Sequence, residues 1–162
     1  MKGDDSALIW EANLSFSQLP QVVNPKSGYV HSANQTPFNV TAPADNPRLE
    51  DYAPGHGFQM DMTNRAQRGL ELFAELGPIS EAEFSAIKHD KYYSPNAPYA
   101  SYLLQIAAAQ FTDPQLVEAQ VLLASWDLGT DLENNAAALG TCVFLAAERD
   151  DQRATPSEQQ IA

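Results

Sequence analysis

At 162 residues with 44% hydrophobic side chains, the chain suits one domain, and no apolar run approaches the roughly 18 residues of a membrane span. A net charge of −12 with only nine Lys and Arg argues against nucleic acid and against anionic membrane surfaces, both of which need clustered cations. The single cysteine, Cys142, rules out an intrachain disulfide and a cysteine metal cluster, and its neighbours Leu139, Val143 and Phe144 suggest a small core residue.

The first ten residues, MKGDDSALIW, set Asp4 and Asp5 before an apolar run of four. An export signal needs a run of about 7–15, so none is expected here. Residues 1–58 hold most of the prolines and little helical periodicity. Short strands are expected around Ala7–Trp10 and Gly28–Ala33, joined by a turn-rich segment through Leu19-Pro20 and Asn24-Pro25, because proline removes a ladder donor and favours strand ends and loops. Residues 37–58 form a long irregular loop, a type of segment that is often functional or flexible.

From residue 60 the pattern turns helical. Met62, Ala66, Leu70 and Phe73 form one stripe, with Gly69 a weak point inside it, and Gly77-Pro78 ends that helix. Ser80 and Glu83 have capping-box spacing for a short helix through Lys88. Another helix begins at SYLLQIAAAQF, and Asp113-Pro114 reads as N-cap and first residue of one running to Trp126-Asp127. A last helix is expected over about 134–148, followed by a fraying tail. The chain thus divides into a strand-and-loop segment (1–58), a helical segment (59–150) and a flexible tail (151–162), all within one partial domain of the α+β class. Two strands make no stable sheet of their own, which suggests part of a larger fold.

Motifs with a definite chemistry are scarce. His31, His56 and His89 share no ligand spacing, and neither a nucleophile elbow nor a phosphate loop is present. Asp45, Glu50, Asp51 and Asp61 are candidates for a hard cation such as calcium, but they lack EF-hand spacing and read better as a solvated acidic loop. Asn13, Asn34 and Asn39 open glycosylation triplets of a kind that recurs by chance.

One block is more specific. LPQVVNPKSGYVHSANQTPF, residues 19–38, resembles the segment of penicillin and acyl-homoserine-lactone acylases in which an LP-x-V-x-NP-x-SG run leads into an asparagine-bearing turn closed by proline. The lead-in GDDSALIWEANLSFSQLP, the helical MTNRAQRGLELFAELGPISEAEFSAIKHDKYYS and the later LLASWDLGTDLENNAAAL are similar to collinear parts of the same family. The resemblance implies an internal piece of the large chain of an N-terminal-nucleophile hydrolase, within a larger αββα fold. In that family a serine exposed by self-cleavage attacks an amide with its own α-amine as base. An asparagine side chain then donates to the developing oxyanion. The position matching that asparagine is Asn34. A family arginine near the start of the next helix falls on Arg65, with Arg68 second, or on Asp61 or Met62 in another register.

The resemblance further implies hydrolysis of N-acyl small molecules, periplasmic location and a possible structural calcium elsewhere in the family, with no cofactor site assigned in this chain. Ser6, Ser15 and Ser17 lie outside any matching nucleophile context, so the nucleophile is expected on the remainder of the acylase, and this chain alone is expected to be inactive. Two alternatives stand beside this reading. One is a non-catalytic module holding an acyl chain with Phe38, Tyr52 and Phe58. The other is a remnant or interaction fragment that folds only against a partner.

Overall fold

The computed structural model describes residue 6 and residues 13–154, apart from 75, 76 and 98. Five α-helices carry the second half: α1 (Asn64–Ala74), α2 (Glu81–Lys88), α3 (Ala100–Ala108), α4 (Pro114–Ala124) and α5 (Ala137–Ala154). Among the described residues before α1, the helical elements are short 3₁₀ turns, at Phe16–Gln18, Pro43–Asp45 and Leu49–Asp51.

No strand forms among the described residues, and the one β-bridge joins Tyr92 to Gly129. The expected strand at Gly28–Ala33 is a run that alternates in burial, with Tyr29, His31 and Ala33 half-buried and Val30 and Ser32 exposed. Its backbone groups find loop and side-chain partners instead of a ladder. His31 N–H donates to Val40 O (2.7 Å), and Tyr29 O accepts from Thr41 Oγ1 (2.7 Å). The other expected strand, Ala7–Trp10, lies outside the described residues. The α+β expectation therefore has only its helical half here.

The local signals for the helices are realised in the bonds. Ser80 Oγ accepts from Glu83 N–H while the Glu83 carboxylate takes the Ser80 N–H (2.7 Å), closing the capping box on α2. Asp113 accepts from Gln115 N–H (2.8 Å) with Pro114 as the first residue of α4. Expected ends were less accurate. α4 stops at Ala124, because Ser125 and Trp126 N–H turn back to Leu122 and Leu123 carbonyls and the Trp126 indole folds inward. α5 starts at Ala137, since Asn134 is taken up by Asp127 (2.7 Å) and Gly129 O (3.1 Å), and it runs on to Ala154, into the stretch expected to fray.

The core gathers where α3, α4 and α5 pack on one another. Trp126 and Phe144 are its buried centre, 5.3 Å apart, with Tyr93 edge-on to both. The Trp126 Nε1–H donates to Gly129 O (2.8 Å), so burial leaves no polar atom of the ring unpaired. Gly140 makes this fit possible, because a Cβ there would overlap the six-membered ring of Trp126. Cys142 is exposed, not in the core as its neighbours suggested. Two residues at about 100° each separate it from buried Phe144, so it lies on nearly the opposite face of α5.

α1 reaches this core through polar links. Asn64 Oδ1 accepts from Ser94 N–H (2.8 Å), and Glu71 accepts from the fully buried Ser94 hydroxyl (2.6 Å) and from Asn96 (2.8 Å). Arg68 grips Asp90 through two bonds of 2.9 Å, which hold the Asp90 carboxyl below its ordinary range.

Candidate active-site turn

Residues 24–41 fold back on themselves before docking on α1. Gly28 sits at φ 79°, a left-handed conformation that glycine adopts without strain, and its N–H closes the turn onto Pro25 O (3.0 Å). The Ser27 N–H donates to Asp45 (2.7 Å), which pulls the Asp45 carboxyl below its ordinary value. Thr41, almost wholly buried, shares a hydrogen bond with Ser27 Oγ (2.6 Å). Asn46 Oδ1 receives the N–H groups of Val40 (2.9 Å) and Thr41 (3.1 Å). The long loop is thus stitched by its own side chains.

The two amides have different jobs. Gln35 faces inward: Ala33 N–H donates to its Oε1 (2.5 Å), and its Nε2 donates to His31 O (2.9 Å) and Asn39 O (3.1 Å). It holds the turn shut. Asn34 faces out, exposed, at φ 65°, a region that asparagine tolerates better than other non-glycine residues.

The turn is then clamped to the start of α1. Thr36 N–H donates to Asp61 O (2.9 Å), and Thr63 Oγ1 donates to Ala33 O (3.0 Å) while accepting from Ala66 N–H (3.1 Å). That clamp brings Arg65 alongside, and its Nη2 donates to Asn34 Oδ1 (2.9 Å). Since guanidinium can only donate, this bond assigns the amide: oxygen toward Arg65, NH₂ away. The Asn34 Nδ2 has no partner among the described residues.

The arginine in contact with Asn34 is therefore Arg65. Arg68, the second candidate, is committed to Asp90, with Glu71 at 3.8 Å and the Tyr92 ring at 5.6 Å. Asp61 supplies a backbone carbonyl to the turn, and Met62 supplies a sulfur to Asn39 Nδ2 (3.6 Å).

His31 escaped notice in the sequence as anything but a poor metal ligand. Its ring lies over Gly69, where a Cβ would collide with it, and tilts against Phe73 (centroids 5.9 Å apart). Gly69, expected to be a weak point of α1, is where the His31 ring rests against the helix. Burial, with the Arg65 charge in addition, holds the imidazole below its ordinary value of 6.5, so it is neutral at pH 7. Tyr29 stacks on Phe73 (5.0 Å), and its hydroxyl titrates higher than usual through burial and the nearby Asp45 charge.

The rings offered as an acyl-chain holder lie together. Phe38, Tyr52 and Phe58 pack on each other with centroids 5.5–5.6 Å apart, and His56 stands edge-on to Phe58 (5.5 Å). They form a small core for the loop.

No group of three or more His, Cys, Asp or Glu able to hold a metal occurs among the described residues. Asp45 serves Ser27, while Glu50 and Asp51 lie against Arg48 (3.6 and 3.0 Å). No helix among the described residues is long and apolar enough to cross a membrane.

The turn thus presents an exposed amide, held by Arg65 on a proline-closed turn at the head of α1. Residues 1–151 match the family described as penicillin amidase, and the chain belongs to that family.

Proposed function

We propose that this chain supplies the oxyanion donor of an amidase that hydrolyses N-acyl small molecules of the penicillin or acyl-homoserine-lactone type, while the remainder of the acylase supplies the nucleophilic serine. Asn34 is the donor and Arg65 its positioning residue. The 2.9 Å bond from Arg65 to Asn34 Oδ1 carries this reading. It leaves the Nδ2 group directed outward, and it polarises the amide so that those N–H groups donate more strongly. A carboxamide suits the task because it donates without titrating. In the cycle the serine hydroxyl attacks the acyl carbon, the carbonyl oxygen gathers charge, and Asn34 Nδ2–H stabilises it.

The remainder of the acylase as partner rests, like the nucleophile it would carry, on membership of the family. Periplasmic placement rests on the family likeness alone.

Asn34 also suits its left-handed backbone, and Asn34→Gly separates the two roles. Glycine keeps the turn unstrained and removes the donor. In the assembled enzyme, Asn34→Gly is expected to lower kcat about 10²–10³-fold, the usual effect of losing one oxyanion donor, with Tm nearly unchanged. Retention of full kcat would leave Asn34 a turn residue only. Amide hydrolysis by this chain alone, abolished by changing one of its own serines, would also overturn the proposal.

A further inference from the structure

Beside the Asn34 turn, an open cleft of about 480 Å³ lies between residues 31–33, α1, α2 and the Asp90–Tyr92 stretch. Leu72, Phe73, Phe84 and Ile87 give it an apolar wall. Three cations line it, Arg65, Arg68 and Lys88, against one carboxylate, Asp90. That is three of the chain's nine Lys and Arg, in a molecule of net charge −12. Such a local reversal of sign favours an anion.

The three cations are not equally available. Arg68 is neutralised by its two bonds to Asp90. Arg65 uses Nη2 on Asn34, and the Lys88 ammonium has no partner among the described residues. His31, also in the lining, is neutral at pH 7 and adds no charge. The cleft thus combines two cations with charge to spare and an apolar wall, in the size range of small-molecule sites.

We infer that this cleft binds an apolar monocarboxylate, its head between Arg65 and Lys88 and its hydrocarbon tail against Leu72, Phe73, Phe84 and Ile87. Hydrolysis of an N-acyl amide by water releases such an acid together with an amine, so the ligand class follows from the proposed activity, on which this inference rests. A neutral amide of equal length buries the same tail but leaves both cations unpaired.

The test is titration of the purified full chain with octanoate and with octanamide, followed by heteronuclear NMR. Octanoate is expected to bind about fivefold to tenfold more tightly than octanamide, as two exposed ion contacts of up to about 1 kcal/mol each allow. The largest shifts are expected at Leu72, Phe84 and Ile87. Lys88→Glu, at an exposed position that spares the fold, is expected to erase most of that preference and leave octanamide binding as it was. Equal affinity for acid and amide, shifts centred elsewhere, or an unchanged preference in Lys88→Glu would overturn the inference. The measurement needs no turnover, so its failure is distinct from failure of the Asn34 proposal.

Discussion

The Asn34 turn and the Trp126 core are two solutions to holding irregular backbone in place. Around Trp126 the work is done by contact area: Trp126, Phe144 and Tyr93 interlock, and one indole hydrogen bond completes the packing. Around Asn34 it is done by direction, through the bonds of Gln35, Thr63, Asn46 and Arg65. Apolar packing is strong and indifferent to small rotations, whereas hydrogen bonds are weaker in net terms but fix angles. A group that must aim a donor is better placed on the second kind of scaffold.

The contrast can be broken first at its apolar end. Trp126→Ala is expected to cost about 3–5 kcal/mol in urea unfolding, from lost transfer energy plus a cavity. A loss under about 1 kcal/mol would mean the aromatic cluster is not the main support. Gln35→Ala is expected to cost less, about 1–3 kcal/mol, because two carbonyls and an N–H lose their partner in a half-buried turn. Hydrogen exchange should register it as faster exchange at Ala33 while the amides of α5 stay protected. Uniform acceleration would show that the turn and the core are one unit.

Smaller still is Ser80→Ala, expected to cost about 1 kcal/mol through loss of the α2 capping box. Circular dichroism and thermal melting would register it, and Asp113→Ala should match it at α4.

The smallest effect is with pH. His31 has its imidazole pKa lowered on folding, so the unfolded chain binds the proton more readily. Its contribution to stability is complete above the ordinary value of 6.5 and is lost as pH falls below that toward the lowered folded value. A decline in stability between pH 7 and 5 is expected, weaker in His31→Gln. The Asp90 contribution, with its carboxyl depressed by Arg68, is present above its ordinary 3.8 and goes only at lower pH. Equal slopes for wild type and His31→Gln between pH 7 and 5 would remove His31 from the account.

Some of the site was legible in the residues. The LPQVVNPKSGYVHSANQTPF block, through its resemblance to the family, pointed to Asn34, and the same resemblance offered Arg65 before Arg68. The choice of contact between the two arginines needed the fold. Both lie on α1, three residues apart, and only the Thr63 clamp brings Arg65 under the turn while Arg68 swings to Asp90. The cleft was not legible, because its lining joins residues 31–33 to α1 and α2, segments whose sequences do not reveal that they meet.

The sequence by itself determined what depends on near neighbours. The Ser80/Glu83 and Asp113-Pro114 starts were readable because a cap bonds within three residues of itself. Family membership was readable too, since it rests on residue order. Tertiary structure decided whatever depended on distant partners. It placed Cys142 outside and turned Gly69 from a weak point into the seat of His31. It also set Phe38, Tyr52 and Phe58 against one another. Above all it joined Arg65 to Asn34 across 31 residues, an encounter that no local pattern encodes because it depends on how the turn docks on α1.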